Sequence, residues 1–132
     1  HGNSIMAAMG LVQLKYLDED NDYRNYLASL YKRKLINTDV VPISNYTEKS
    51  SCHLFQIRVK ENKRERLIKK LYDNNIYPGV HYVDNTTYKM YNYAYGSCPN
   101  AHKTSKELIT LPIHLGITEE DINKITNIIN KL

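Results

Sequence analysis

The tetrapeptide Gly79-Val80-His81-Tyr82 is the stretch of this sequence best suited to chemistry. Glycine lets a backbone approach a ligand closely, and an imidazole beside a phenol offers both donors and acceptors. The motif closes an expected strand, Tyr77 to Tyr82, and leads into a Tyr- and Asn-rich loop from Val83 to Tyr95. The alternative for His81 is a structural histidine satisfied by backbone groups. His114, in Leu111-Pro112-Ile113-His114, stands before a capped helix and is expected to close that loop.

A second constellation is Cys52-His53 with Cys98 and His102, which has the residue types of a zinc site. Neighbouring strand residues point to opposite faces, which suits tetrahedral ligation poorly, and no Cys-x-x-Cys pair is present. Two free thiols in a reducing cytosol and no metal are the expectation. The basic run Lys60, Lys63, Arg64, Arg66, Lys69 and Lys70 is interleaved with Glu61 and Glu65. Without interleaved aromatic rings it reads as a solvated helix face rather than a nucleic-acid platform.

Elements must position these residues. The 132 residues correspond to one domain, with 42% hydrophobic and 24% charged residues, and a net charge of +4 is too small to argue for nucleic acid by itself. No apolar run reaches membrane-spanning length, and no signal peptide is expected, since the first residues lack a basic region followed by an apolar stretch. The chain does not begin with Met, so its first residue is not expected to be the natural start.

Residues 5 to about 35 read as helix. From Ile5 to Leu17 it is apolar nearly all round and should be buried on more than one side. The run Asp18-Glu19-Asp20-Asn21-Asp22 should kink or interrupt it, and Tyr23, Tyr26, Leu27, Leu30 and Tyr31 then form a packing stripe. Thr38 to Asn45, with Pro42, reads as an edge strand. His53 to Val59 alternates, with His53, Phe55, Ile57 and Val59 on one face. Asn62 and Glu65 suggest a capped helix whose buried stripe is Leu67, Ile68, Leu71 and Tyr72, ended by a left-handed Asn75. Short helices are expected over Thr86 to Tyr95 and Asn100 to Leu108, and an extended piece over Ile109 to Ile113. Thr118 and Asp121 should cap a last helix with Ile122, Ile125, Ile128, Ile129 and Leu132 inward. The order predicts an α+β domain: a small antiparallel sheet of about three strands covered by helices and preceded by a long N-terminal helix.

Three segments taken together carry a resemblance: Met6-Ala7-Ala8-Met9-Gly10-Leu11-Val12-Gln13-Leu14, Gly79-Val80-His81-Tyr82, and Leu111-Pro112-Ile113-His114-Leu115-Gly116-Ile117-Thr118. In this order they resemble the C-terminal small domain of the DegT/StrS family of sugar aminotransferases, over nearly the whole chain. Those enzymes use pyridoxal phosphate (PLP) to place an amino group on a nucleotide-linked keto sugar. Ser51 to Val59 is similar to the family's Ser-x-x-His-Leu-Phe strand. Ser51-x-His53 also resembles the start of the Ser-x-His-x-x-Lys that bears the Schiff-base lysine, but Gln56 stands at the lysine position and an amide cannot form an imine.

The resemblance implies that His81, Tyr82, Asn85 and Tyr88 bind substrate. The family's second histidine after this motif is missing here, which implies different sugar contacts. The N-terminal edge resembles Gly-Tyr-Asn-x-Arg-Met-x-Glu-Leu-Gln-Ala-Ala; counting back from Ala7-Ala8 places His1 and Asn3 where relatives approach the PLP phosphate. The implied whole protein is a cytoplasmic homodimer, paired through residues 1–36, active in amino-sugar or surface-polysaccharide biosynthesis. Its lysine-bearing large domain is expected upstream, with no catalytic residue and no PLP site in this chain alone, and neither membrane nor nucleic acid as partner. Two rival readings are a non-catalytic interaction domain of the same fold and a small RNA-binding α+β domain. The latter lacks the aromatic-rich strand motif of such domains.

Overall fold

In the computed structural model, residues 2–43, 50–60 and 62–132 are described. The domain is organised by its middle strand, β2 (Phe55–Val59), which pairs antiparallel with β1 (Val40–Pro42) on one side and β3 (Leu108–Leu111) on the other. Alternation in β2 decides the layering. Phe55, Ile57 and Val59 are fully buried, and the register sets Leu111 beside Phe55 and Ile109 beside Ile57. Pro42 lies in an edge strand, where its missing N–H costs no central ladder bond.

Helices α2 (Leu17–Lys34), α3 (Arg64–Tyr72) and α5 (Glu119–Asn130) contribute Leu27, Leu30, Tyr31, Leu67, Leu71, Ile122, Ile125 and Ile129 to the same buried cluster. Tyr31 stacks on Phe55 with ring centroids 4.7 Å apart, and its hydroxyl donates to the Pro112 carbonyl at 2.9 Å. Burial pushes that phenol far above its ordinary pKa, so it stays a neutral donor. Thr118 and Asp121 form the expected reciprocal cap on α5. Asn75 is left-handed, as expected, with φ 59°.

Several boundaries differ from the sequence expectations. The N-terminal helical region is α1 (Ser4–Gln13), a 3-10 turn (Leu14–Tyr16), then α2. Its break precedes the acidic run, because Asp18, Glu19 and Asp20 occupy the first turn of α2, where carboxylates favour the helix dipole. Every residue from Gly2 to Glu19 is exposed within this chain. Asn62 does not cap α3: it is itself left-handed at φ 57°, and the helix begins after Lys63 without a side-chain cap. Strand β2 does not reach His53, because Cys52 is left-handed at φ 46° and turns the chain out of the pleat.

Tyr77 to Tyr82 is not a strand. Within it only Gly79 bridges to Thr110, through bonds of 2.9 and 2.8 Å; Pro78 has no N–H to extend the ladder. The following segment forms two 3-10 turns, Asn85–Thr87 and Lys89–Ala94, before α4 (Pro99–Ser105), which has Pro99 at its start as expected. Among the described residues no helix is long and apolar enough to cross a membrane.

Candidate functional site

The face of the sheet turned away from the core residues of α2, α3 and α5 carries the candidate site. Gln56 and Arg58 alternate with the core residues of β2, and the register sets them beside Thr110 and Leu108 of β3. The Gly79–Thr110 bridge holds the Gly79-Val80-His81-Tyr82 motif at the outer edge of β3. His81 then turns onto the sheet: its Nδ1 lies 3.0 Å from the Thr110 hydroxyl, and the Gln56 amide donates to its carbonyl. The structural alternative for His81 expected backbone partners; the structure instead gives its ring the Thr110 hydroxyl and its carbonyl the Gln56 amide.

Gly79 is required by space. A Cβ at this position would stand 2.6 Å from His81 Cε1 and 3.1 Å from its Nδ1. The imidazole therefore packs directly against the glycine backbone, and only glycine permits it. The His81–Tyr82 peptide is cis, and the two rings meet edge-on with centroids 5.1 Å apart at 83°.

Two clefts flank this pair. His81, Gly79, Thr110, Leu54 and His53 line one of about 260 Å³. Tyr82, Asn85, Ala101, Thr104 and Leu108 line a second, of about 510 Å³, between the loop and α4. Of the four expected substrate residues, the structure thus places Tyr82 and Asn85 in one cleft and His81 in its neighbour. Tyr88 is exposed and lines neither.

Asn3 lies on a different element. Its Oδ1 accepts from the Met6 N–H at 2.9 Å and caps α1. His1 lies outside the described residues. His114 closes its loop as expected: its Nδ1 accepts from the Gly116 N–H at 3.2 Å.

The Cys and His residues considered as a zinc set go to separate tasks. Cys52 is buried and its thiol donates to Asn25 Oδ1 at 3.1 Å; His53 sits by Ser51; Cys98 is exposed; His102 pairs with Asp84. The basic face is largely tied down: Lys63 pairs with Asp39, Arg64 with Glu65 and the Leu108 carbonyl, and Lys69 with Asp73.

Sequence reasoning missed Asp84 and His102 as partners. The Asp84 carboxylate accepts from His102 Nδ1 at 2.7 Å, the Thr86 N–H at 2.9 Å and the Thr86 hydroxyl at 2.8 Å. The His102 imidazole first, then the two Thr86 donors, hold this carboxyl below the usual carboxylate range. Asp84 followed two residues later by Thr86 is a readable turn signal; its bond to α4, 18 positions away in sequence, is not.

The DegT/DnrJ/EryC1/StrS aminotransferase family model matches residues 3–130. The chain belongs to this family. Among solved structures, it superposes on the PLP form of Spr1654 from Streptococcus pneumoniae, described as a sugar aminotransferase, with TM-score 0.88 and 27% identity. For Helicobacter pylori PseC, an aminotransferase involved in the biosynthesis of pseudoaminic acid, the values are 0.86 and 25%. The aminotransferase TlmJ from Streptoalloteichus hindustanus gives 0.90 at 23% identity, a likeness of fold. These alignments cover 98%, 99% and 98% of this chain but 35%, 37% and 36% of the respective relatives. The chain thus spans about a third of their length.

The family's cofactor, pyridoxal phosphate, needs an enclosed amine, an acid for its ring nitrogen and donors for its phosphate. The described residues do not provide this set by themselves. Neither cleft beside His81 is lined by a lysine. Lys124 edges a third cleft, near His114 and Asp121, but it is exposed and donates to the Asn74 carbonyl at 3.1 Å. Asp121 is engaged in the α5 cap. No chemical step through the cofactor follows from these residues.

Proposed function

We propose that this chain is the C-terminal portion of a PLP-dependent aminotransferase that acts on a nucleotide-linked keto sugar. Amino-sugar or surface-polysaccharide biosynthesis in the cytoplasm is its setting. The single observation that carries this reading is near-complete superposition of the chain on aminotransferases of which it spans about a third. The imine-forming lysine and the acid that pairs with the pyridine nitrogen then belong to residues N-terminal to this stretch. When bound, the cofactor supplies the electron sink; this part of the protein supplies orientation and hydrogen bonds.

In this reading His81, Tyr82, Asn85 and Tyr88 face the sugar nucleotide. Gly79 and Thr110 fix the imidazole of His81, and Gln56 fixes its backbone. His1 and Asn3 lie toward the cofactor phosphate of a neighbouring subunit. The exposed apolar surface of α1 supports a role as the contact with the large domain and with the second subunit of a homodimer.

The test compares two proteins: the 132-residue chain, and the product of its gene read from a Ser-x-His-x-x-Lys motif upstream. Each is mixed with PLP and treated with borohydride. The expected result is a fixed, stoichiometric chromophore on the longer protein and none on the chain. A stoichiometric chromophore on the chain, lost when one of its own lysines is replaced, overturns the reading.

A further inference from the structure

The Tyr82–Tyr95 segment is weakly anchored by ordinary means. It contributes no strand, and Tyr82, Tyr88, Met90, Tyr91, Tyr93 and Tyr95 are all exposed. Apolar burial therefore does little to set where it lies. Among the described residues, one side chain of α4 meets both its start and its end. The His102 ring receives Asp84 from the start of the segment, at 2.7 Å. It also receives Tyr95 from the end, edge-on with centroids 5.4 Å apart. Side chains of Asp84 and His102 are only 11% and 25% exposed. The backbone N–H of His102 is bonded to the Cys98 carbonyl, so its ring stands on a helix turn.

We propose that Asp84 and His102 are positioning residues: the Asp84–His102 hydrogen bond holds the start of the tyrosine-rich segment on α4, the Tyr95–His102 ring contact holds its end, and the two together set the cleft that Tyr82 and Asn85 line. Asp84 suits the role because its other oxygen, Oδ1, accepts both Thr86 donors, which shapes the 3-10 turn bearing Asn85. One carboxylate thus fixes the local turn and its distance from α4 together. A partly shielded charge-assisted bond holds more firmly than a neutral one at the same place. The side chains of Tyr82, Asn85 and Thr104 have no hydrogen-bond partner among the described residues, which leaves them available to a ligand in the cleft. The consequence for substrate binding rests on the aminotransferase reading above; the clamp itself does not.

Amide hydrogen exchange on the chain tests the clamp directly. The N–H groups of Tyr88, Tyr91 and Tyr95 are bonded inside the segment and report on its order. Asp84→Asn and His102→Gln are each expected to speed their exchange about tenfold, with β2 amides unchanged. The double variant should exchange no faster than His102→Gln alone, because that change already removes the Asp84 bond along with the Tyr95 ring contact. Unchanged exchange in both single variants, or effects that add in the double, would overturn the proposal. If Asp84→Asn also speeds β2 exchange, the His102→Gln result alone decides. In the longer, cofactor-bearing enzyme, Asp84→Asn should raise the KM for sugar nucleotide at least threefold with kcat nearly kept. A large fall in kcat at unchanged KM would overturn the positioning role. If that enzyme shows no transamination, the aminotransferase reading fails while the exchange result still stands.

Discussion

Helices α1 and α5 both open on a side-chain cap and both carry many apolar residues, yet they end in opposite surroundings. In α5, Ile122, Ile125 and Ile129 fall on one stripe and are at most 3% exposed against the sheet. In α1, Ile5, Met6, Met9 and Leu11 spread around the cylinder and are all more than 60% exposed. The difference is one of pattern rather than amount. A stripe can be satisfied by one neighbouring layer, whereas apolar residues all round need partners on more than one side. The domain provides one layer only, so α5 is complete here and α1 is not.

The sharpest way to test this contrast is to truncate residues in each region and compare denaturant midpoints. Phe55→Ala, which removes the ring stacked on Tyr31, should cost about 3–5 kcal/mol and bring the chain near the limit of folding. A loss below about 1 kcal/mol would mean that the sheet–helix core is not the stabilising unit. Thr118→Ala should cost less, about 1 kcal/mol, through the lost cap of α5. The same cap has a pH signature. The Thr118 N–H and hydroxyl hold the Asp121 carboxyl below its ordinary pKa. Its contribution is complete above the ordinary carboxylate value and is lost as pH falls through the depressed one. Thr118→Ala removes the hydroxyl and keeps the N–H, so it should lessen that acid limb of the stability profile without abolishing it.

The smallest stability effect is expected in α1. Met9→Ala should change unfolding by less than about 0.5 kcal/mol, because the side chain touches little in this chain. Light scattering provides the complementary measurement. The chain should self-associate as concentration rises, and Met9→Glu with Leu11→Glu should return it to a monomer. A clean monomer before substitution would break the comparison, since the exposed face of α1 would then need no partner.

The parts of this fold that were readable from sequence are those whose physics is local. Period-two burial in Phe55, Ile57 and Val59, the Thr118–Asp121 cap and the left-handed Asn75 each depend on residues a few positions apart. Where expectation and structure part, two local preferences compete or a distant partner decides. Asn62 can cap a helix or adopt the left-handed turn, and it does the latter. The acidic run of residues 18–22 can disfavour helix or favour its first turn, and the dipole decides. Tyr77 to Tyr82 has strand composition, but Pro78 breaks the ladder and Gln56 takes the His81 carbonyl. At the candidate site, the Gly79-Val80-His81-Tyr82 motif was legible through its residue types. The division between two clefts and the Asp84–His102 bond were not, because both depend on residues brought together from distant parts of the chain.

Cys52 and Cys98 give the molecule a built-in clock. One thiol is sealed in the core and held by Asn25, while the other stands at the exposed start of α4. An alkylating reagent should therefore add its first mass tag at once and its second only when the interior opens. The interval between the two tags times that opening without dye or mutation.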